Sequence, residues 1–382
     1  MIDFDIPEED RALLDSIDRM MAREFPPEAL RRADLAHETP WHLLPRMGEL
    51  GLLALAIPEA YGGLGKDWRS AALVNERLAW HAGIAATLFG TTVGFGAMSL
   101  LNYGTEAQKR EILPRLMEGR ARFALALTES TAGTDAGAIT TSARRLDGGG
   151  WRINGRKTWI SNADAADYLV VPCRTEPGSK GSKGVTMLLV PRAAPGISMT
   201  GLDKVGHHCM PSYDIGFDDV EVGDDAVMGE VGQGFRHTMS TLHYSRAGQA
   251  ANAVGQAQRA VDVALAHAKE RRQFGQAIGS FQAVQHKLAD MQVRVNLARL
   301  SLYQLAWLIA TGRPCRLEAA QTKLAATETF QYVTRNGLQI MASAGYATES
   351  DMQRMWRDAG LYTFGEGSSE LQRNLIAREM GL

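Results

Sequence analysis

The residues best suited to chemistry lie near the C-terminus, in Phe364-Gly365-Glu366-Gly367-Ser368-Ser369-Glu370-Leu371-Gln372-Arg373. A carboxylate between two glycines sits on a backbone free to turn tightly, to adopt positive φ and to approach a ligand closely. Leu371, Leu375 and Ile376 begin a helical apolar stripe. Ser368 or Ser369 is therefore placed to cap a helix whose first N–H groups point at whatever the loop holds. Taken alone the stretch reads as an ordinary surface loop, because charged side chains mostly lie outside.

Arg271-Arg272-Gln273-Phe274-Gly275 is a second group. Its guanidinium forks suit a phosphate and its aromatic suits a ring, but a basic helix end complementing the helix dipole has the same composition. Thr128 to Asp135 and Trp159-Ile160-Ser161 offer hydroxyls, backbone N–H groups and an aromatic face. His207-His208-Cys209 has no partner set at metal-ligand spacing and reads as a solvated turn. His237 and His243 fall in a helical stretch and read as packing or hydrogen-bonding residues. There is no GxGxxG opening a helix, no GxxxxGK[ST] and no GxSxG.

Three blocks of different texture position these residues. Residues 1–120 read as a helical domain: Glu8, Glu9 and Asp10 after Pro7 suit a helix first turn. Ala71 to Ala97, small and apolar, suits one interior helix or the lining of a pocket. Tyr103-Gly104-Thr105-Glu106 reads as a C-cap followed by a new N-cap. Residues 121–230 read as a β domain of short strands, with turns at Asp147-Gly148-Gly149-Gly150 and Asn154-Gly155. Residues 231–382 read as a second helical domain, with long periodic helices over Phe281–Ile309 and Leu317–Met341 that suggest an up-down bundle. The class is α+β, mostly α.

Composition narrows the setting. With 382 residues, 45% hydrophobic and 22% charged, the chain has the profile of a globular protein of two or three packed units. A net charge of -2 points to neither nucleic acid nor an anionic membrane. Three scattered cysteines without a CxxC suit a reduced, cytoplasmic setting. No basic-then-apolar leader is seen, and no run reads as long and apolar enough to span a membrane.

The separate pieces also occur in one order. Pro58-Glu59-x-Tyr61-Gly62-Gly63-x-Gly65, Tyr103-Gly104-Thr105-Glu106-x-Gln108-Lys109, Thr128-Glu129, Asn154-Gly155-x-Lys157-x-Trp159-Ile160-Ser161-Asn162, Phe217-Asp218-Asp219-Val220, Arg272-Gln273-Phe274-Gly275 through Phe281-Gln282, Arg357-Asp358 and Glu366 to Arg373 run nearly end to end. In these motifs the chain resembles the FAD-dependent acyl-CoA dehydrogenase family. The resemblance implies a helical N-terminal domain, a β-barrel-like middle domain and a C-terminal four-helix bundle. It implies FAD, a homotetramer or homodimer whose neighbours complete each flavin site, and α,β-dehydrogenation of an acyl-CoA thioester in fatty acid metabolism. Electrons would pass to an electron-transfer flavoprotein or similar acceptor.

The same resemblance assigns roles. Glu366 matches the catalytic base. Leu125, Leu127, Thr128, Gly133, Thr134, Trp159, Ile160 and Ser161 match flavin contacts in the middle domain. Arg271, Gln282, Gln339 and Ser343 match positions that reach the cofactor of a neighbouring subunit, Phe274 matches a cofactor contact, and Ser368 and Glu370 match contacts after the base. Thr134, His243, Arg246, Gly365 and Gly367 match substrate positions, and no metal is implied. Some positions depart from the family: His243 stands where Asp is frequent, Ala342-Ser343 where Gly-Gly is usual, and Gly365 where Tyr is frequent. The last removes bulk beside the reacting carbons and suggests a wide acyl group. In some relatives the base lies near Ser245, which as a serine cannot serve. Rival expectations are an oxidase, an enoyl-thioester reductase or an acyl-carrier-protein dehydrogenase of the same fold, and, more remotely, a non-catalytic thioester-binding protein.

Overall fold

The computed structural model describes residues 5–382, so the first four residues of the N-terminal block lie outside it. Helices come first: α1 (Glu8–Glu24), α2 (Pro27–Ala36), α3 (Leu43–Glu49), α4 (Trp68–His81), α5 (Gly83–Phe89), α6 (Met98–Tyr103) and α7 (Glu106–Met117). Glu8, Glu9 and Asp10 fill the first turn of α1. Thr105 and Gln108 form a reciprocal capping box at the start of α7.

The expected single helix over Ala71–Ala97 is broken. Ala82 is extended (φ -157°) between α4 and α5, and Gly90–Ala97 winds as a π-helix before α6. The small residues that encouraged one helix instead admit close neighbours. A Cβ on Gly83 would lie 2.5 Å from the Gln256 side chain, and Asn252 Nδ2 donates to the Gly83 carbonyl at 3.0 Å. The run Gly83–Tyr103 is, against expectation, long and apolar enough to cross a membrane by length and composition, and most of it is buried within the protein.

The middle block forms one sheet. Its strands are β1 (Phe123–Leu125), β2 (Ser142–Arg145), β3 (Trp151–Ser161), β4 (Tyr168–Arg174), β5 (Val185–Pro191), β6 (Ile197–Leu202), β7 (Ser212–Val222) and β8 (Val227–Met228). The order is β6-β7-β3-β2-β4-β5-β8, with β1 beside β4. Trp151, Ile153, Ile160, Leu169, Ile215 and Phe217 close its core. Asp147 to Gly150 makes the β2–β3 turn, where Leu146 N–H donates to Gly150 O at 3.1 Å. Asn154-Gly155 is not a turn: β3 runs straight through it with a register shift against β7. Gly155 lies at φ 146°, and a Cβ there would meet Thr141 at 2.6 Å. The glycine thus serves a bulge where another backbone approaches closely.

The last block is the helix bundle: α8 (Gly234–Glu270), α9 (Gln282–Ala310), α10 (Arg316–Met341), α11 (Ser343–Tyr346), α12 (Asp351–Phe364) and α13 (Ser369–Glu379), with the hairpin β9 (Arg272–Gln273) and β10 (Gln276–Ala277) between α8 and α9. α10 packs on α8, α9, α12 and α13. At 37 residues α8 is about 55 Å long, enough to touch α4, α5, the π-helix and β5 as well. Its buried Ala250, Ala253, Ala257, Ala260 and Ala264 allow that closeness.

His207-His208-Cys209 is a packed joint rather than a solvated turn. Cys209 is buried, His208 stacks on His37 with centroids 4.1 Å apart, and His207 lies against Tyr362 at 5.3 Å. The Asp358 carboxylate accepts from the His207 N–H at 2.6 Å. Arg357 pairs with Asp34 of α2, so the joint ties all three blocks.

Candidate active site

The loop after α12 begins with an ordinary helix ending. Gly365 N–H donates to Leu361 O at 2.8 Å, and Gly365 is extended (φ -63°, ψ 145°). The left-handed turn falls instead on Glu366 (φ 56°) and Gly367 (φ 98°). A Cβ on Gly367 would lie 2.8 Å from Gln372 Nε2, so glycine is needed there for both conformation and space. Ser368 is the cap of α13: its Oγ accepts from Leu371 N–H at 3.3 Å. Ser369 Oγ is buried without a partner among the described residues.

Glu366 is exposed as a whole residue, while its carboxyl faces Ser245 and Arg246 of α8 and Lys323 of α10. Burial raises it above the usual carboxylate range. A hydrogen bond from the Ser245 hydroxyl and the charges of Lys323 and Arg246 pull the other way and offset the rise only in part. Among the described residues, neither the Glu366 nor the Gly367 N–H takes part in a backbone hydrogen bond.

One face of α8 supplies the opposite wall through Ser245, Arg246 and Gln249. Arg246 is buried, and its Nε has no partner among the described residues. Burial pulls His243 below its ordinary value, and the neighbouring Arg246 and Arg316 act in the same direction, so its ring is neutral near pH 7. A side chain at Gly365 would meet Leu361 O at 3.1 Å and Gln249 Nε2 at 3.3 Å. The space beside Glu366 on that side is therefore bounded by Gln249, whose Oε1 is buried and has no partner among the described residues.

In the middle block, Lys157 and Glu129 form a buried ion pair at 2.9 Å. The ammonium also donates to Leu127 O at 3.1 Å and Pro172 O at 3.0 Å. Glu129 accepts from the backbone N–H groups of Thr140 and Thr141. Thr158 N–H donates to Thr128 O at 2.9 Å, so the Leu125–Thr134 segment is pinned beside the end of β3. There Trp159 takes a left-handed φ of 58° and its ring is 55% exposed. Ile160 turns inward into the sheet core, leaving only its backbone for a contact, and Ser161 is half-buried beyond it. Thr134 is exposed, and nothing lies within 4 Å of where a Cβ on Gly133 would stand.

The remaining expected cofactor residues lie on other surfaces of the chain. Arg271 ends α8, and Phe274 sits at the tip of the β9–β10 hairpin at φ 51° and 93% exposure. Gln282 opens α9 and is exposed. Gln339 and Ser343 line an open groove of about 650 Å³ with Arg335 and Trp356. Ala342 between them holds φ 50°, ψ -132°, a region that favours glycine. An exposed aromatic on a strained strand end beside an open glycine fits a planar ring, and separately the groove with its amide, hydroxyl and guanidinium fits a polar, anionic group.

Sequence reasoning missed Lys323 and Gln249 and considered Ser245 only as a displaced base. The signal for Lys323 was present: it stands on the buried face of α10 with Ala319, Ala326 and Thr327.

Models of the acyl-CoA dehydrogenase family match nearly the whole chain: the N-terminal domain over residues 7–120, the middle domain over 124–220 and the C-terminal domain over 232–381. The chain is 39% identical to "Probable acyl-CoA dehydrogenase YngJ" of Bacillus subtilis (strain 168), over 99% of this chain and 100% of that protein. It is 35% identical to a "3-(aryl)acrylate reductase" of Clostridium sporogenes (strain ATCC 15579), over 95% of this chain and 97% of that one. Its fold is similar to that of a glutaryl-coenzyme A dehydrogenase in complex with glutaryl-CoA, with a TM-score of 0.95, 34% identity and coverage of 100% of this chain and 97% of the other.

Proposed function

The chain belongs to the acyl-CoA dehydrogenase family of flavoprotein oxidoreductases, and from that premise we propose that it converts an acyl-CoA thioester to the 2-enoyl-CoA with Glu366 as the base. The observation that carries this reading is the Glu366 carboxyl, raised by burial yet facing Ser245, Arg246 and Lys323. A base must match a weakly acidic α-proton near neutral pH, and a raised carboxyl does so better than an ordinary one.

The residues act as follows. The Glu366 carboxylate takes the proton from Cα, and the electron pair of that C–H bond becomes the new C=C as a hydride leaves Cβ. The chemistry that FAD supplies when bound is acceptance of that hydride. Negative charge grows on the thioester oxygen during proton removal. The free N–H groups beside Glu366 are donors suited to it, and Gly367 contributes through its N–H because its carbonyl is engaged from below. Arg246 and His243 suit the thioester's polar arm, and the exposed Thr134 would meet it from the middle block.

Leu125, Leu127, Thr128, Gly133, Thr134, Trp159, Ile160 and Ser161 would hold the flavin ring end, with Ser368 and Glu370. Arg271, Phe274, Gln282, Gln339 and Ser343 would serve the site of a neighbouring subunit in a homotetramer or homodimer. Exposed Val293, Leu297 and Leu300 on one face of α9 support an assembly that covers them. An electron-transfer flavoprotein or similar acceptor would reoxidise the enzyme.

The name of the Clostridium relative favours one second reading: the same carboxyl, protonated, would deliver a proton to Cα in the reverse, enoyl-reducing direction. Anaerobic mixing of the yellow holoenzyme with straight, branched and aryl acyl-CoA and acyl-carrier thioesters tests both. Loss of flavin absorbance with 2-enoyl product supports dehydrogenation. Enzyme that no saturated thioester bleaches, but that enoyl thioesters reoxidise after chemical reduction, would support the reductase.

A further inference from the structure

Lys323 is fully buried on α10. An ammonium so placed costs several kcal/mol unless it is paired and hydrogen-bonded. Its Nζ donates to the carbonyl of Gly367 at 2.8 Å. Gln372 Nε2, also fully buried, donates to the same oxygen at 3.1 Å. That carbonyl belongs to the second of two successive left-handed residues, Glu366 and Gly367. A non-glycine residue in this region is strained and persists only where its surroundings over-determine it. Two buried donors on one carbonyl are such a constraint.

The charge of Lys323 lies among identified groups. Glu366 and Glu370 of the loop and Glu328 of α10 favour it, and Arg246 of α8 opposes it. Burial is the largest influence and draws the lysine down to about 8. Around Glu366 the facing groups are Ser245 and Arg246 of α8 and Lys323 of α10, with Tyr362 of α12 also within its field.

Resting on Glu366 as the base, we propose that Lys323 is a positioning residue for it: Lys323 clamps the left-handed turn through the Gly367 carbonyl and keeps a positive charge within the field of the carboxylate. Ser245 and Lys323 then act on the base from two helices, one at its carboxylate and one through the carbonyl of the next residue.

The test is the pH profile of flavin reduction by a saturated acyl-CoA, followed by anaerobic stopped flow below about pH 8, where Lys323 is charged. Lys323→Met removes charge and donor. Its acid limb is expected to move upward by about one pH unit, so that reduction below the limb is about tenfold slower, with flavin content and substrate binding retained. Lys323→Gln keeps a donor and loses the charge. It serves if the methionine variant does not hold flavin, and it is expected to move the limb in the same direction. A limb unmoved in a flavin-containing variant, with only thermal stability lowered, would overturn the proposal and leave a structural lysine. Glu366→Gln is run alongside. If that variant reduces flavin at the wild-type rate, the reading of Glu366 fails; if it is inactive while the lysine variants keep the wild-type limb, only the role of Lys323 fails.

Discussion

The Lys157 ammonium lies 2.9 Å from Glu129 Oε1 with both side chains withdrawn from water, and through Leu127 O it fixes the segment that leads to Thr128. Replacing one member leaves the other as an uncompensated buried charge. Glu129→Gln is therefore expected to destabilise the protein by about 3–5 kcal/mol. Denaturant unfolding followed at the tryptophans measures it, and a change within experimental scatter would show that the pair does not brace this block.

The same carboxylate carries a pH dependence. Burial alone would raise Glu129, but Lys157 and the hydrogen bonds from Thr140 and Thr141 outweigh it and hold the group at about 2, against an ordinary value of 4.5. A lowered native value means that the stabilisation is fully present above about pH 4.5 and is lost as pH falls toward 2. Unfolding midpoints of the wild type should fall across that window more steeply than those of Glu129→Gln. Parallel curves would contradict the assignment.

Ala342 holds a backbone conformation that favours glycine, at a cost of about 1 kcal/mol or more. Ala342→Gly should relieve it and raise stability by about 1 kcal/mol. Thermal unfolding of the two proteins checks this, and a lower midpoint for the glycine variant would mean that unfolded-chain entropy outweighs the strain.

Ser245 favours the ionised form of Glu366. Ser245→Ala should therefore raise the carboxyl further and shift the acid limb of flavin reduction to higher pH by about one unit. The sign is the informative part: a limb displaced to lower pH would place the hydroxyl elsewhere in the reaction.

Much of this arrangement was legible in the sequence because it is local. The order of helices, strands and helices follows from periodicity, and the Thr105–Gln108 capping box and the β2–β3 turn follow from residue types. What stayed hidden depends on packing partners far along the chain. Asn154-Gly155 has turn composition but serves a bulge, because Thr141 approaches it. Ala71–Ala97 lacks a breaker strong enough to predict the interruption at Ala82, where Asn252 and Gln256 crowd Gly83. At the loop the flanking glycines point to a left-handed turn without locating it. Gly365 does not use its freedom and Glu366 itself is left-handed, and Lys323, which donates to the Gly367 carbonyl, comes from α10, an element that no local pattern connects to the loop.

The central claim is that Glu366 removes the α-proton. Anaerobic stopped-flow reduction of the bound flavin by a saturated acyl-CoA, compared between wild type and Glu366→Gln, tests it most directly. The glutamine variant is expected to fold, to bind flavin and thioester, and to reduce about 10³-fold or more slowly, in keeping with the loss of a general base. Reduction within a few-fold of the wild-type rate would contradict the account.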